Sequence, residues 1–507
     1  MTQVTSNQPI KQQTANSARG ELLMIAVTPH PPIMVPEVGR GEDRLVERSQ
    51  KAMARLGQEI RALQPDTVIF ISPHGPIFQD GIALAGTPWL QGDLGQFRAK
   101  EAAFKYPNDL NLAQAIAEEA KKAGILTVLL DERLAKRYGV SDRLDHGVMV
   151  PLYFLQAEGL RPAVDSPRHD SKPEEIRTVA PAKLVVMAYG LLPFEDLYAF
   201  GLVIRRAVEQ TGRRAVLIAS GDLSHRLTPA APAGYRPEGE VFDRQICELT
   251  AKADVLGLLN LPLGLAEQAG ECGLRSLIMA WGAADGRQVN PEVYSYEGPF
   301  GVGYMIANLG VGPADPSRQL LEQLREQRVK AIQERRQQES PLVQLARASL
   351  ETYVRQGKRL EPGSELKLEE LQRPAGAFVS IKKDGQLRGC IGTISPVYPT
   401  LAQEIIENAI SAGTRDPRFL PIEESELDDL VYSVDVLGVP EAVTGLDELD
   451  PSRYGVIVSH GSRRGLLLPD LEGIDTAEQQ VAIARQKAGI SPAESVTLER
   501  FEVKRFT

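Results

Sequence analysis

The sequence predicts two domains of different class: an α/β domain with a mainly parallel sheet over residues 21–310, and an α+β domain over 340–507. Three observations predict this. Strand-like apolar runs alternate with helical patterns as far as residue 310, the signature of parallel strands joined by crossover helices. A breaker cluster, Gly-Val-Gly-Pro-Ala-Asp-Pro at 310–316, ends the alternation and leads into a charged stretch at 318–339. Finally, 507 residues exceed the ~250–300 at which one core stops growing.

The first 20 residues are rich in Gln, Thr, Ser and Asn and lack an apolar core, so they read as a disordered tail rather than a signal peptide or anchor. Strands are expected at 21–27, 66–72, 124–131, 183–189 and 215–220, with a closing strand over 301–309. Helices are expected over 42–63, 109–123, 193–211 and 239–259. The segment 311–339 reads as a linker whose charged part is a solvated helix. A periodic helix (Leu342, Leu345, Ala346, Leu350, Tyr353) opens the second domain. Within it, strands at 377–382 and 387–394 flank Asp384-Gly385, a strong hairpin signal.

Composition excludes several classes. A net charge of −10 with pI near 5.4 argues against nucleic acid or an anionic membrane as partner. No run reaches the ~18 apolar residues of a membrane span. The cysteines Cys247, Cys272 and Cys390 are far apart and form no C-x-x-C, which points to a reducing, cytoplasmic location without a disulfide framework.

The histidines carry the chemistry. Of six in the chain, His30, His74 and His225 each follow a predicted strand end, where open α/β sheets bind their ligands. One histidine near a strand end is more often structural, but three delivered by three strands point to a shared metal site. Non-haem Fe(II) is commonly held by two histidines and one carboxylate, with positions left open. His30 and His74 suit the nitrogen roles. Glu271 offers the carboxylate, with the Cys272 thiol beside it, and Asp222 is another candidate. His146 could line the site or belong to a cap at the start of the following helix. His169 lies in polar loop sequence and reads as solvated.

Five segments now show a resemblance: Thr-Pro-His-Pro-Pro (28–32), Ser-Pro-His-Gly (72–75), Asp-His-Gly-Val-Met-Val-Pro-Leu (145–152), Gly-Asp-Leu-Ser-His (221–225) and Ala-Gly-Glu (269–271). Their order resembles class III extradiol ring-cleavage dioxygenases, nearest to the LigB-type catalytic subunit, over about 21–310. The resemblance implies an Fe(II) site of His30, His74 and Glu271, with His225 as acid/base residue and His146 beside the substrate. It implies a catechol-like small aromatic diol, whose proton a histidine titrating near neutrality can accept. The region also resembles the Memo proteins, whose metal site uses histidines and a cysteine. That version would make Cys272 the third ligand and admits copper or zinc as well as iron.

In the second half, Leu-Arg-Gly-Cys-Ile-Gly-Thr-Ile (387–394) places Cys390 between two glycines of a strand. Two-residue alternation would put Arg388 on the same face, where it could favour a thiolate. His460 is the only histidine of this half and a possible base; Arg-Asp-Pro-Arg-Phe (415–419) could hold an anion. The plain alternative is a cysteine packed as a small apolar residue. With 454–469, Gln-Lys-Ala-Gly-Ile (486–490) and Glu-Val-Lys-Arg-Phe (502–506), this motif resembles the AMMECR family over 340–507. Memo-like and AMMECR domains occur in a system with a radical-SAM protein, which implies such a protein as partner. The chain has no C-x₃-C-x₂-C motif of its own. The sequence therefore leads to an Fe(II)-dependent oxidoreductase, with a metal-binding component serving a radical-SAM enzyme as the alternative.

Overall fold

A computed structural model describes residues 20–156, 182–361, 369–383, 386–471 and 473–507. The chain divides into two compact units, Met1–Leu324 and Arg325–Thr507. The N-terminal tail, His169 and Asp384-Gly385 lie outside the described residues.

The first unit is built on an eight-stranded sheet. From edge to edge its strands are Glu292–Glu297, Tyr304–Asn308, Glu21–Thr28, Arg214–Ser220, Thr67–Ser72, Lys183–Ala188, Gly81–Ala85 and Leu126–Leu130. The four central strands from Glu21–Thr28 to Lys183–Ala188 are parallel. Antiparallel partners flank them on both sides. Thr67–Ser72 is buried at every position, as a strand covered on both faces must be. One face packs on helices Leu110–Lys122, Phe194–Thr211 and Leu274–Ala283, and the other on helices Glu47–Leu63 and His146–Gln156 and the hairpin Trp89–Leu94/Ala99–Pro107. Helices Phe194–Thr211 and Leu274–Ala283 cross closely because Gly201 and Gly282 lack side chains. A Cβ on either would sit within 2.0 Å of a carbonyl oxygen on the other helix.

Most expected elements lie within a few residues of their positions. The helix expected over 239–259 is two, Pro237–Ala251 and Val255–Leu259. Ala253 between them takes a left-handed φ of 52°, and Asp254 caps the second by accepting from Gly257 N–H. Strand Gly81–Ala85, a short apolar run between Asp80 and Gly86, and the 89–107 hairpin, whose strands mix apolar with polar residues, lie outside the expected elements. The charged stretch forms helix Leu320–Gln338, in which Leu321 is the buried residue.

In the second unit, helices Pro341–Gln356 and Leu401–Thr414 pack on one face of an antiparallel sheet. Its strand order is Gln386–Gly392, Ala377–Lys383, Leu430–Leu437, Thr497–Phe506, Tyr454–His460 and Arg463–Leu467, with Glu441–Val443 pairing Thr497–Phe506. The strands on either side of Asp384-Gly385 pair antiparallel, with Ser380 opposite Cys390. Among the described residues no helix is long and apolar enough to cross a membrane.

Candidate metal centre

Four loops at the carboxyl ends of parallel strands or at a helix start build the site. His30 follows Glu21–Thr28, His74 follows Thr67–Ser72, Asp222 and His225 follow Arg214–Ser220, and His146 opens helix His146–Gln156. Backbone contact holds the 221–225 segment against the loop at 270–273. A Cβ on Gly221 would lie 2.1 Å from Gly273 Cα, so glycine is required for that approach. The Cys272 N–H donates to the Asp222 carbonyl across the same contact.

The imidazoles of His30, His74 and His146 converge, with one potential ligand atom from each lying within 4.8 Å of the others. His30 Nε2 and His74 Nε2 are 2.9 Å apart. His74 and His146 stack with centroids 4.1 Å apart, and His30 meets both edge-on.

A hydrogen-bond chain fixes the His30 tautomer. Ser220 Oγ donates to the Gly147 carbonyl at 2.5 Å, which uses its only proton. Ser220 Oγ therefore accepts at 2.9 Å from His30 Nδ1–H, and Nε2 presents its lone pair to the cluster, where it accepts from His74 Nε2–H. Electrostatics favour the same state. Burial, followed by the neighbouring histidines, holds His30 well below the usual imidazole range. Burial also lowers His74, and burial with His74 and His30 lowers His146 to about 3. Neutral imidazoles are the form that binds a metal.

Two further groups approach His30 Nε2: Cys272 Sγ at 3.7 Å and Asp222 Oδ2 at 3.8 Å. Asp222 Oδ1 also accepts from the His30 backbone N–H at 2.9 Å. Burial raises both the Asp222 carboxyl and the Cys272 thiol. Glu271 is engaged locally, with Oε2 accepting the Leu274 N–H at 2.6 Å at the start of helix Leu274–Ala283. His225 donates Nδ1–H to the Gly270 carbonyl, and its Nε2 faces Asp222 Oδ2 at 4.0 Å. The potential ligand group thus contains a third histidine, His146, which sequence reading placed beside the substrate. A cleft of about 890 Å³ opens on His74 and His146 and is lined also by Phe97, Met149 and Lys100.

The second-unit candidates do not form one cluster. The register shifts at Arg388, a bulge that breaks the two-residue alternation. Arg388 forms a bidentate pair with Glu426, at 3.0 and 2.9 Å, and Leu387 lines the same cavity as Cys390. His460 Nδ1 donates to the Ser495 carbonyl, and its Nε2 lies 3.5 Å from Glu494. Arg418, expected as an anion holder, is paired with Asp416, which also accepts the Cys390 N–H.

Comparison with known proteins agrees with both halves. Residues 24–307 match the family described as the catalytic LigB subunit of aromatic ring-opening dioxygenase, and residues 343–506 match the AMMECR1 family. The chain belongs to the LigB family and carries an AMMECR1 domain fused behind the LigB domain. Protein CA_C1420 of Clostridium acetobutylicum is 41% identical over 478 residues, covering 94% of this chain and 97% of its own. A Thermotoga maritima protein is 54% identical over 170 residues, 33% of this chain and 98% of its own. The solved structure of Escherichia coli K12 protein JW3007 aligns with 56% of this chain and 98% of its own, at 16% identity and a TM-score of 0.35.

Proposed function

We propose that the LigB-type unit is an Fe(II)-dependent oxidoreductase acting on a small aromatic diol in the cytoplasm. The observation that carries this reading is the convergence of His30, His74 and His146 at the end of a parallel sheet, with His30 Nε2 unprotonated by its bond to Ser220. These three imidazoles fit a divalent metal and would hold it, with Glu271 or Cys272 as the alternative third ligand. Bound there, ferrous iron would supply open positions for a diol and dioxygen and the redox chemistry of ring opening. The chain supplies the rest. His225 Nε2 is the free nitrogen of its ring and would take a hydroxyl proton, with Asp222 facing the charge that forms. Phe97, edge-on to His146 with centroids 5.4 Å apart, and Met149 offer an aromatic-sized apolar wall.

The test is metal analysis after anaerobic purification, followed by oxygen uptake with a panel of catechols. Stoichiometric iron lost in His30→Ala, His74→Ala and His146→Ala, with ring-fission absorbance, is the expected result. Tight iron without oxygen uptake across the panel would remove the dioxygenase reading.

One observation favours a second reading. The potential ligand group is three imidazoles, with the Cys272 thiol 3.7 Å and the Asp222 carboxylate 3.8 Å from His30 Nε2, rather than two imidazoles and Glu271. A Memo-like component binding iron, copper or zinc and serving a separate radical-SAM enzyme would fit it. It predicts co-purification of that enzyme and no catechol cleavage by this chain alone.

A further inference from the structure

The second unit contains a cavity of about 570 Å³ on the sheet face opposite helices Pro341–Gln356 and Leu401–Thr414, within the size range of small-ligand sites. Its floor is a cross-strand row. Cys390 pairs with Ser380, and Ser380 pairs on its other side with Ser433, so a thiol and two hydroxyls lie on three adjacent strands. Ser380 Oγ donates to Cys390 Sγ at 3.2 Å. A solvated sheet face would also be polar, but this one is walled. Leu468 and Leu471 rise beside it on a loop whose Asp470 takes a left-handed φ of 54° and is anchored by its N–H to the Pro451 carbonyl.

The charges lining this cavity are unequally committed. Asp435 and Arg505 close on each other in a bidentate pair, at 2.8 and 3.0 Å. Among the described residues, Lys382 and Arg335 form no ion pair, whereas Asp470 adds to the negative charge around Arg505 and Thr507 lines the same cavity. In a chain of net charge −10, two cations without an ion pair thus stand in the lining beside a partly exposed thiol.

We propose that this cavity binds a small organic oxyanion, a carboxylate or phosphate ester, through Lys382 and Arg335, and holds it against the Cys390–Ser380–Ser433 floor. The site is independent of the metal centre, and its ligand is distinct from the diol proposed there. Arg388, paired with Glu426, takes no part.

Competitive alkylation of Cys390 in the full chain tests this, read by mass on the Cys390 peptide. Iodoacetate and iodoacetamide differ in charge, and their rate ratio in urea-unfolded protein supplies the reference. In the folded protein the ratio should rise about two- to fivefold, as one or two partly screened cations allow, and should fall back at high salt. Lys382→Ala and Arg335→Ala should return it toward the reference, and Lys382→Arg should retain it. Inorganic phosphate and succinate, added separately, should slow alkylation, and the more protective salt identifies the headgroup. A ratio at or below the reference, an unreactive Cys390, or protection by neither salt would overturn the proposal.

Discussion

At the scale of single residues, the metal centre depends on which nitrogen of each ring is free. Ser220 has one proton and gives it to Gly147, so it can only accept from His30 Nδ1. Removing the hydroxyl leaves the ring free to rotate and to change tautomer. Ser220→Ala should therefore weaken metal binding about 10–100-fold with the fold intact, measured by chelator competition; unchanged affinity would remove Ser220 from this role. Glu271 gives a sharper choice. Its carboxylate accepts the Leu274 N–H, a bond an amide oxygen can also accept. If Glu271 is a cap, Glu271→Gln should keep full metal content and Glu271→Ala should cost about 1 kcal/mol of stability. Metal lost from the Gln variant would make Glu271 a ligand. His30, His74 and His225 were legible in the sequence because each follows an apolar strand. His146 ranked lower because it starts a helix, and nothing in the sequence marks Ser220 as its neighbour's partner.

At the scale of elements, the site is a set of loops held by close backbone contact. Gly221 and Gly273 meet with no room for a methyl group. Gly221→Ala should force the 221–225 and 270–273 loops apart, costing about 1–3 kcal/mol in denaturant unfolding and lowering metal content together. Behind these loops Asp243 accepts from Ser224 N–H and Tyr296 O–H, and burial pushes its carboxyl up to about 6. The folded protein thus holds a proton that the unfolded chain releases near pH 4. The contribution of Asp243 to stability is full below pH 4, falls as pH rises to about 6, and is flat above. Asp243→Asn carries no charge, so it should gain stability relative to the parent over that interval, by on the order of 3 kcal/mol. Urea midpoints of both proteins at pH 4.5 and pH 7 read the difference; parallel profiles would show that Asp243 is ionised throughout.

At the scale of the whole molecule, each unit has its own sheet and its own buried cluster. A metal bound only to the folded first unit should raise that unit's unfolding temperature by mass action and leave the second unit's transition in place. Calorimetry with and without chelator tests this, and a shift of both transitions would show that the units unfold together. The fusion of LigB and AMMECR1 domains also places two chemically different features on one chain: a neutral imidazole cluster in the first unit and, in the second, a cavity lined by Cys390, Lys382 and Arg335.

Apolar periodicity and breaker residues are local signals, and they suffice to place the two domain classes and the strand-end histidines. Tertiary structure decided the strand order, the flanking antiparallel strands and the membership of the metal cluster. Gly81–Ala85 is a strand because of its neighbours, and His146 joins His30 and His74 because a helix start packs across the sheet end. The Arg388 bulge shows the same limit. Alternation along one strand assigns faces only while the register holds, and register is a property of the pair.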